Sequence, residues 1–285
     1  MKLPFPLPSR PSTALLAATV LELVVLTGHL AAYPFGITQE RPARRPAPDH
    51  QRHAPGTGTS TGLRPLPGSP DAERPVVLLH GFIDNRSVFV LLRRALARHG
   101  RRHLASLNYS PLTRDLRTAA ELLGRHVEEV CARTGQREVD IVGHSLGGLI
   151  ARYYVQRLGG DHRVRTLVTL GTPHGGTAVA PGAGIHPIVR QMRGDSSLIE
   201  ELRRPAPACR TRFVSFWSEL DQVMVPVETA CVDHPDLDAV NVRVTGIGHL
   251  ALPVHPAVAT AVREALESQQ TREGTAPSTG TSSVA

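Results

Sequence analysis

The sequence predicts an α/β fold, a mostly parallel six-stranded sheet with helices on both faces, and three observations carry the prediction. Short apolar runs alternate with longer segments of helical period. The runs are almost continuously Val, Ile and Leu, which suits strands buried on both faces. A Gly-rich pentapeptide, Gly143-His144-Ser145-Leu146-Gly147, sits directly between one such run and one such helical segment.

The first segment stands apart from the sheet. Lys2 and Arg10 precede a stretch from Thr13 to Phe35 that is apolar apart from Glu22, His29 and small polar residues. Its length suits a spanning helix and is long for a signal-peptide core. Positive charge ahead of it predicts that the N-terminus stays inside while the rest is exported. Residues 1–38 are therefore expected to be a signal peptide or an N-terminal membrane anchor, with Leu30-Ala31-Ala32 as the nearest approach to a cleavage site. Glu22 complicates spanning, because an acidic side chain at a helix centre costs about 2.5–3.5 kcal/mol on insertion scales. Residues 39–74 are dense in Pro, Gly, Arg, Ser and Thr without hydrophobic period and read as a disordered linker.

The folded unit is expected over residues 75–268. Its strands are placed at 76–79, 104–108, 139–142, 164–170, 212–217 and 240–244, and its helices at 87–99, 114–134, 146–158 and 256–268. Asp115 and Gly135 supply a start and a stop signal for the second of these helices. The stretch 171–207 is the longest between two strands, rich in Gly and Pro early and helical from about Ile188. It lies where a substrate-covering lid would be found. Residues 269–285 read as a disordered tail.

Composition narrows the function classes. A chain of 285 residues, 41% hydrophobic, can bury one substantial core, and a monomer is expected. The net charge is +7, but the basic residues, all arginine except Lys2, are spread along the chain, which argues against nucleic acid as a partner. No spacing of His and Cys suits zinc, and no G-x-G-x-x-G fingerprint is present, so neither a metal nor a cofactor is expected. In an exported chain two of the three cysteines are expected to pair. Cys209 and Cys231 bracket one candidate strand and its following loop, and a bridge there would be worth roughly 3 kcal/mol. Cys131 falls in a helical pattern and reads as a buried free thiol.

The pentapeptide carries the chemistry. A serine on a strained turn between strand and helix needs minimal side chains two positions to either side, where the elements nearly touch. A serine hydroxyl also needs a base within hydrogen-bonding reach. On a sheet with such an elbow, the partners follow in the order acid, then histidine, each just past a later strand. Asp221 follows the strand 212–217, and His249 follows the last strand within Gly246-Ile247-Gly248-His249. Among the histidines His174, His186, His234 and His255 compete with His249; among the acids Glu228, Asp233 and Asp195 compete with Asp221, and Glu219 is the main fallback. The oxyanion of a tetrahedral intermediate would be met by the amides of Leu146 and Phe82. His80 is read as shaping the turn that presents Phe82.

With these residues in hand, the chain resembles bacterial lipases and esterases of the α/β-hydrolase superfamily, most closely the compact secreted lipases of actinobacteria. The resemblance covers about residues 75–268. It rests on Val76-Val77-Leu78-Leu79-His80-Gly81-Phe82, on 143–148, on the block 171–177, and on Asp221 and His249. It implies a minimal form without a large cap domain, extracellular or membrane-anchored, acting on a small-molecule or lipid ester without cofactor. It also implies that His80, Gly81, His144, Thr172 and His174 border the substrate. The same residues would serve an acyltransferase; a catalytically silent binding protein of the same fold is the alternative from another class.

Overall fold

A computed structural model describes residues 13–36, 74–82, 84–110, 113–178 and 186–274. Among the described residues six strands, β1 (Val76–Leu79), β2 (Leu104–Leu107), β3 (Val139–His144), β4 (Val164–Leu170), β5 (Arg212–Ser218) and β6 (Asp238–Val244), form one sheet in the order β2-β1-β3-β4-β5-β6. Every pairing among them is parallel. From β1 the chain steps outward to β2, then returns to the other side of β1 with β3. That reversal opens a crevice at the carboxyl ends of β1 and β3, the place where open parallel sheets bind ligands. Leu79 lies opposite Gly143, so the loop after β1 and the turn after β3 emerge side by side.

Among the described residues seven helices accompany the sheet: α1 (Thr13–Gly36), α2 (Val90–Arg98), α3 (Leu116–Thr134), α4 (Leu146–Arg157), α5 (Pro187–Gln191), α6 (Ser197–Arg203) and α7 (Pro256–Gly274). Side chains of successive strand residues point to opposite faces, which divides the core in two. On one face Val77, Leu79, Ile141 and Leu167 meet α3, α4, α5 and α6. On the other, Val76, Leu78, Val142 and Val168 meet α2 and α7. Each fully buried aliphatic side chain contributes about 1.5–3 kcal/mol.

Helix ends follow the expected signals. The Asp115 carboxylate accepts from the Arg117 N–H, and Gly135 closes α3 at φ 73° with its N–H on the Cys131 carbonyl. The expected helix 87–99 divides into a 3-10 turn, Arg86–Phe89, capped by Asn85, followed by α2. Strand β6 begins at Asp238, two residues earlier than its apolar run, and as an edge strand it leaves Val240 exposed. α7 runs to Gly274, six residues past the expected end. The linker expected at 39–74, apart from Arg74, and the tail from 275 onward lie outside the described residues.

One covalent expectation is corrected: Cys209 and Cys231 are separate thiols. Cys209 precedes the start of β5, whereas the Ser215 hydroxyl donates to the Ala230 carbonyl at 2.7 Å, setting Cys231 beside the middle of that strand. Cys131 is buried in α3 as expected.

Helix α1 is long and apolar enough to cross a membrane by length and composition. Here it lies against the folded unit, with Leu21 and Val25 packed on the α2 and α7 side of the core.

Candidate active site

β3 ends at His144, and Ser145 turns the chain into α4 with φ 52° and ψ −122°. It is the only non-glycine residue with positive φ among the described residues, a conformation that stores about 1–3 kcal/mol. The turn is held from two sides. Its N–H donates to the Leu170 carbonyl at 2.9 Å, and the Thr172 hydroxyl donates to the Ser145 carbonyl at 3.0 Å. The flanking glycines are steric necessities: a Cβ at 143 would sit 2.5 Å from the Gly148 Cα, and one at 147 only 2.2 Å from the Leu79 carbonyl oxygen. Strand, turn and helix meet too closely for any larger residue.

The other two candidates arrive on neighbouring strands. Asp221 follows β5 and His249 follows β6, and the Ser218 hydroxyl donates to the Ile247 carbonyl at 2.5 Å, tying the two loops together. Asp221 Oδ2 stands 2.8 Å from His249 Nδ1, while Oδ1 accepts from the N–H groups of Val223 and Met224 at 3.0 and 3.1 Å. Both residues are buried. Burial opposes a charge on the His249 ring, but the Asp221 carboxylate, through its charge and its hydrogen bond, outweighs it; with smaller help from Glu22 and Asp84 the pKa lies above the ordinary value. Glu219, the fallback acid, pairs instead with Arg243 at 3.2 Å.

Ser145 and His249 line one cavity of about 300 Å³. Its walls are mostly apolar, with Phe82, Met192, Val223 and Met224 contributed by loops of the sheet and Leu26 and Leu30 by α1. Asp84, His144 and His29 supply polar groups at one side. The His144 ring stands 4.9 Å from that of His249, and its Nδ1 lies 3.6 Å from the Asp84 carboxylate. Phe82 thus shares the cavity with Ser145. Leu146 opens α4, where first-turn amides have no acceptor inside their own helix.

Of the five residues expected at the substrate, only His144 lines this cavity; His80, Gly81, Thr172 and His174 do not. The His80 ring stacks on Tyr109 at 4.3 Å between centroids. Gly81 backs onto Ser145, since a Cβ there would lie 3.2 Å from the Ser145 Cβ. Thr172 braces the turn from beneath. His174 Nε2 is 3.0 Å from the Thr169 hydroxyl, and burial, reinforced by Arg152, holds its pKa well below the usual range. Their motifs shape the turns, and the turns present neighbouring residues.

Several site residues carried no motif. Tyr109 sets its hydroxyl 2.7 and 3.0 Å from the carbonyl oxygens of His80 and Gly81, fixing the loop that presents Phe82. Glu22, Leu26, His29, Leu30 and Tyr33 come from α1. The available signal was the seven-residue spacing of Glu22 and His29, which sets both on one helical face.

Comparison with known proteins bears on the fold. Residues 75–208 match the family model described as palmitoyl protein thioesterase. Over 113 residues the chain is 31% identical to a triacylglycerol lipase of Pseudarthrobacter phenanthrenivorans, covering 37% of this chain and 35% of that protein. It is equally identical over the same length to a triacylglycerol lipase of Burkholderia plantarii, covering 31% of it. The match thus spans about a third of the length of these curated relatives. Among solved structures, Aspergillus fumigatus lipase B superposes with a TM-score of 0.64 at 16% identity, covering 86% of this chain and 67% of that one. Bacillus licheniformis lipase BlEst2 in mature form gives 0.59 at 16% identity, covering 71% and 96%. Sheet order, the strained serine turn and these neighbours together establish that the chain belongs to the α/β-hydrolase fold.

Proposed function

We propose that the protein is a serine esterase of lipase type that hydrolyses carboxylic esters, with lipid acyl esters as its natural class, through an acyl-enzyme on Ser145. One observation carries the reading: a serine on a strained elbow shares an apolar cavity with a histidine whose far nitrogen is 2.8 Å from a buried carboxylate. With Asp221 holding the proton on Nδ1, His249 Nε2 is free to take the Ser145 proton as the oxygen attacks the ester carbonyl. The amides of Phe82 and Leu146 receive the developing oxyanion, each donor contributing about 2.7–4 kcal/mol. His249 returns the proton to the departing alcohol, and water activated by the same ring releases the acid. The apolar walls support an acyl chain as the group bound.

A second scissile bond is favoured by the family match over 75–208: a thioester would pass through the same acyl-enzyme, with a thiol leaving in place of the alcohol. The apolar length of α1 supports export and attachment at a membrane surface. Ser145→Ala is the deciding experiment. It should lower hydrolysis of p-nitrophenyl esters and acyl thioesters by orders of magnitude and abolish fluorophosphonate labelling while the protein stays folded; near-normal turnover rejects the assignment. Turnover across acyl lengths, with alcohol and water competing as acceptors, then separates lipase, esterase and acyltransferase.

A further inference from the structure

Helix α1 presents one stripe to the folded unit. Positions 15, 18, 21, 22, 25, 29, 32, 33 and 36 are its less exposed ones, recurring at the helical period. Glu22 and His29, its only Asp, Glu, Lys, Arg or His residues, are both on that stripe. The two oxygens of Glu22 accept from the N–H groups of Leu250 and Ala251 at 2.9 Å each, the residues immediately after His249. Gly248 lies against the same carboxylate, where an added Cβ would come within 2.6 Å of it. At the other end, the Tyr33 carbonyl accepts from the Asn85 amide at 2.9 Å and the Gly36 carbonyl from the Asn108 amide at 2.6 Å. Leu26, His29, Leu30 and Tyr33 line the cavity between these anchors.

We infer that α1 is a docked wall of the acyl cavity and that Glu22 is a positioning residue, clamping the loop that carries His249 so that the ring stays in register with Ser145. The inference rests on the proposed roles of Ser145 and His249. Glu22 touches no reacting atom; its two charge-assisted hydrogen bonds act through the backbone immediately after the base. The groups facing His249 are Asp221 from the loop after β5, Glu22 from α1, Asp84 from the loop after β1 and His144 from the elbow, with His29 of α1 near Asp84 and His144. Glu22 is one of three negative charges that favour the protonated ring.

The test uses the full chain in mild detergent, with Glu22→Gln, Glu22→Ala, Gly248→Ala and the double variant Glu22→Ala/Gly248→Ala. Three quantities are read: the rate of fluorophosphonate labelling at Ser145, kcat and KM with a soluble p-nitrophenyl ester across pH, and the melting temperature. Glu22→Ala is expected to lower labelling and kcat about tenfold or more with little change in KM. Glu22→Gln keeps one acceptor oxygen and should recover part of that loss, while its acid limb moves to lower pH because a negative charge near the ring is gone. Gly248→Ala should impair the wild type but add nothing once Glu22 is truncated, since the obstructing carboxylate is absent. Equal effects of Gly248→Ala in both backgrounds overturn the docked wall. Wild-type labelling and an unmoved acid limb in Glu22→Gln overturn the positioning role, and that variant decides if Glu22→Ala does not fold. A wild-type chain that is never labelled at Ser145 removes the nucleophile assignment instead.

Discussion

Replacing Asp221 by Asn tests the geometry around His249 at one atom. The carboxylate satisfies three donors with two oxygens: Oδ1 takes the amides of Val223 and Met224, and Oδ2 faces His249 Nδ1. An asparagine in the same position has one oxygen to give, and the two backbone donors claim it. Turning the amide round would set its NH2 against two N–H groups and leave both unsatisfied, at about 1–3 kcal/mol each. The NH2 therefore faces Nδ1, which can only accept, and the ring proton moves to Nε2. A protonated Nε2 has no lone pair for the Ser145 proton. By analogy with the same substitution in a serine protease, kcat should fall roughly 10⁴-fold, or about 5.5 kcal/mol, while the fold persists because the side chains are isosteric. The assay is kcat on a soluble p-nitrophenyl ester across neutral and alkaline pH, with melting temperature alongside. The wild-type acid limb should lie above the ordinary imidazole value of 6.5, since Asp221 raises the folded pKa and only the neutral ring is a base. In the variant that raising influence is lost, burial dominates, and any residual activity should extend to lower pH. A folded Asp221→Asn protein within tenfold of wild-type kcat would refute the tautomer argument.

Two further outcomes follow from contacts around the site. Tyr109→Phe leaves the buried carbonyls of His80 and Gly81 without their hydroxyl donor, so stability should fall by about 1–3 kcal/mol in a denaturant melt. kcat should fall more than KM rises; an unchanged kcat would detach this loop from the oxyanion site. Glu219→Gln breaks only a part-exposed pair with Arg243, worth about 0–1 kcal/mol, and kcat/KM should stay within about twofold. A loss of several orders of magnitude there would transfer the acid role from Asp221.

The strands were legible because parallel strands buried on both faces have no freedom to be polar, and β1 and β4 are found where their apolar runs lie. β6 was shortened in the reading because its first residues, Asp238 and Ala239, belong to an edge, where that constraint lapses. Ser145, Asp221 and His249 could be singled out together because each is tied to a backbone event: an elbow between glycines, or the end of a strand. Residues assigned to the substrate surface were legible as motifs but not in orientation. The His80 ring stacks on Tyr109, and His174 Nε2 lies within hydrogen-bonding distance of the Thr169 hydroxyl. Tyr109 itself had no spacing to mark it, since its role depends on stacking across two loops. The cysteine pairing failed for the same reason, because sequence separation says nothing about height along β5.

Glu22 shows how a sequence anomaly can hold structural information. In a helix crossing a bilayer its carboxylate would stand against about 2.5–3.5 kcal/mol of insertion cost with nothing to offset it. Docked against the sheet, it accepts two amides that the loop after β6 directs at it, and the group that weakens a spanning helix strengthens a lining one. His29 lies seven residues on, on the same face, and stands near Asp84 and His144. The outward face bears the opposite character, with Val20, Val24 and Phe35 more than 60% exposed. A purely spanning segment has no need to set Glu22 and His29 on one stripe, and a purely water-exposed helix would not leave the other face apolar. On the inference drawn above, α1 satisfies both constraints at once by facing the acyl cavity on one side and an apolar surface on the other.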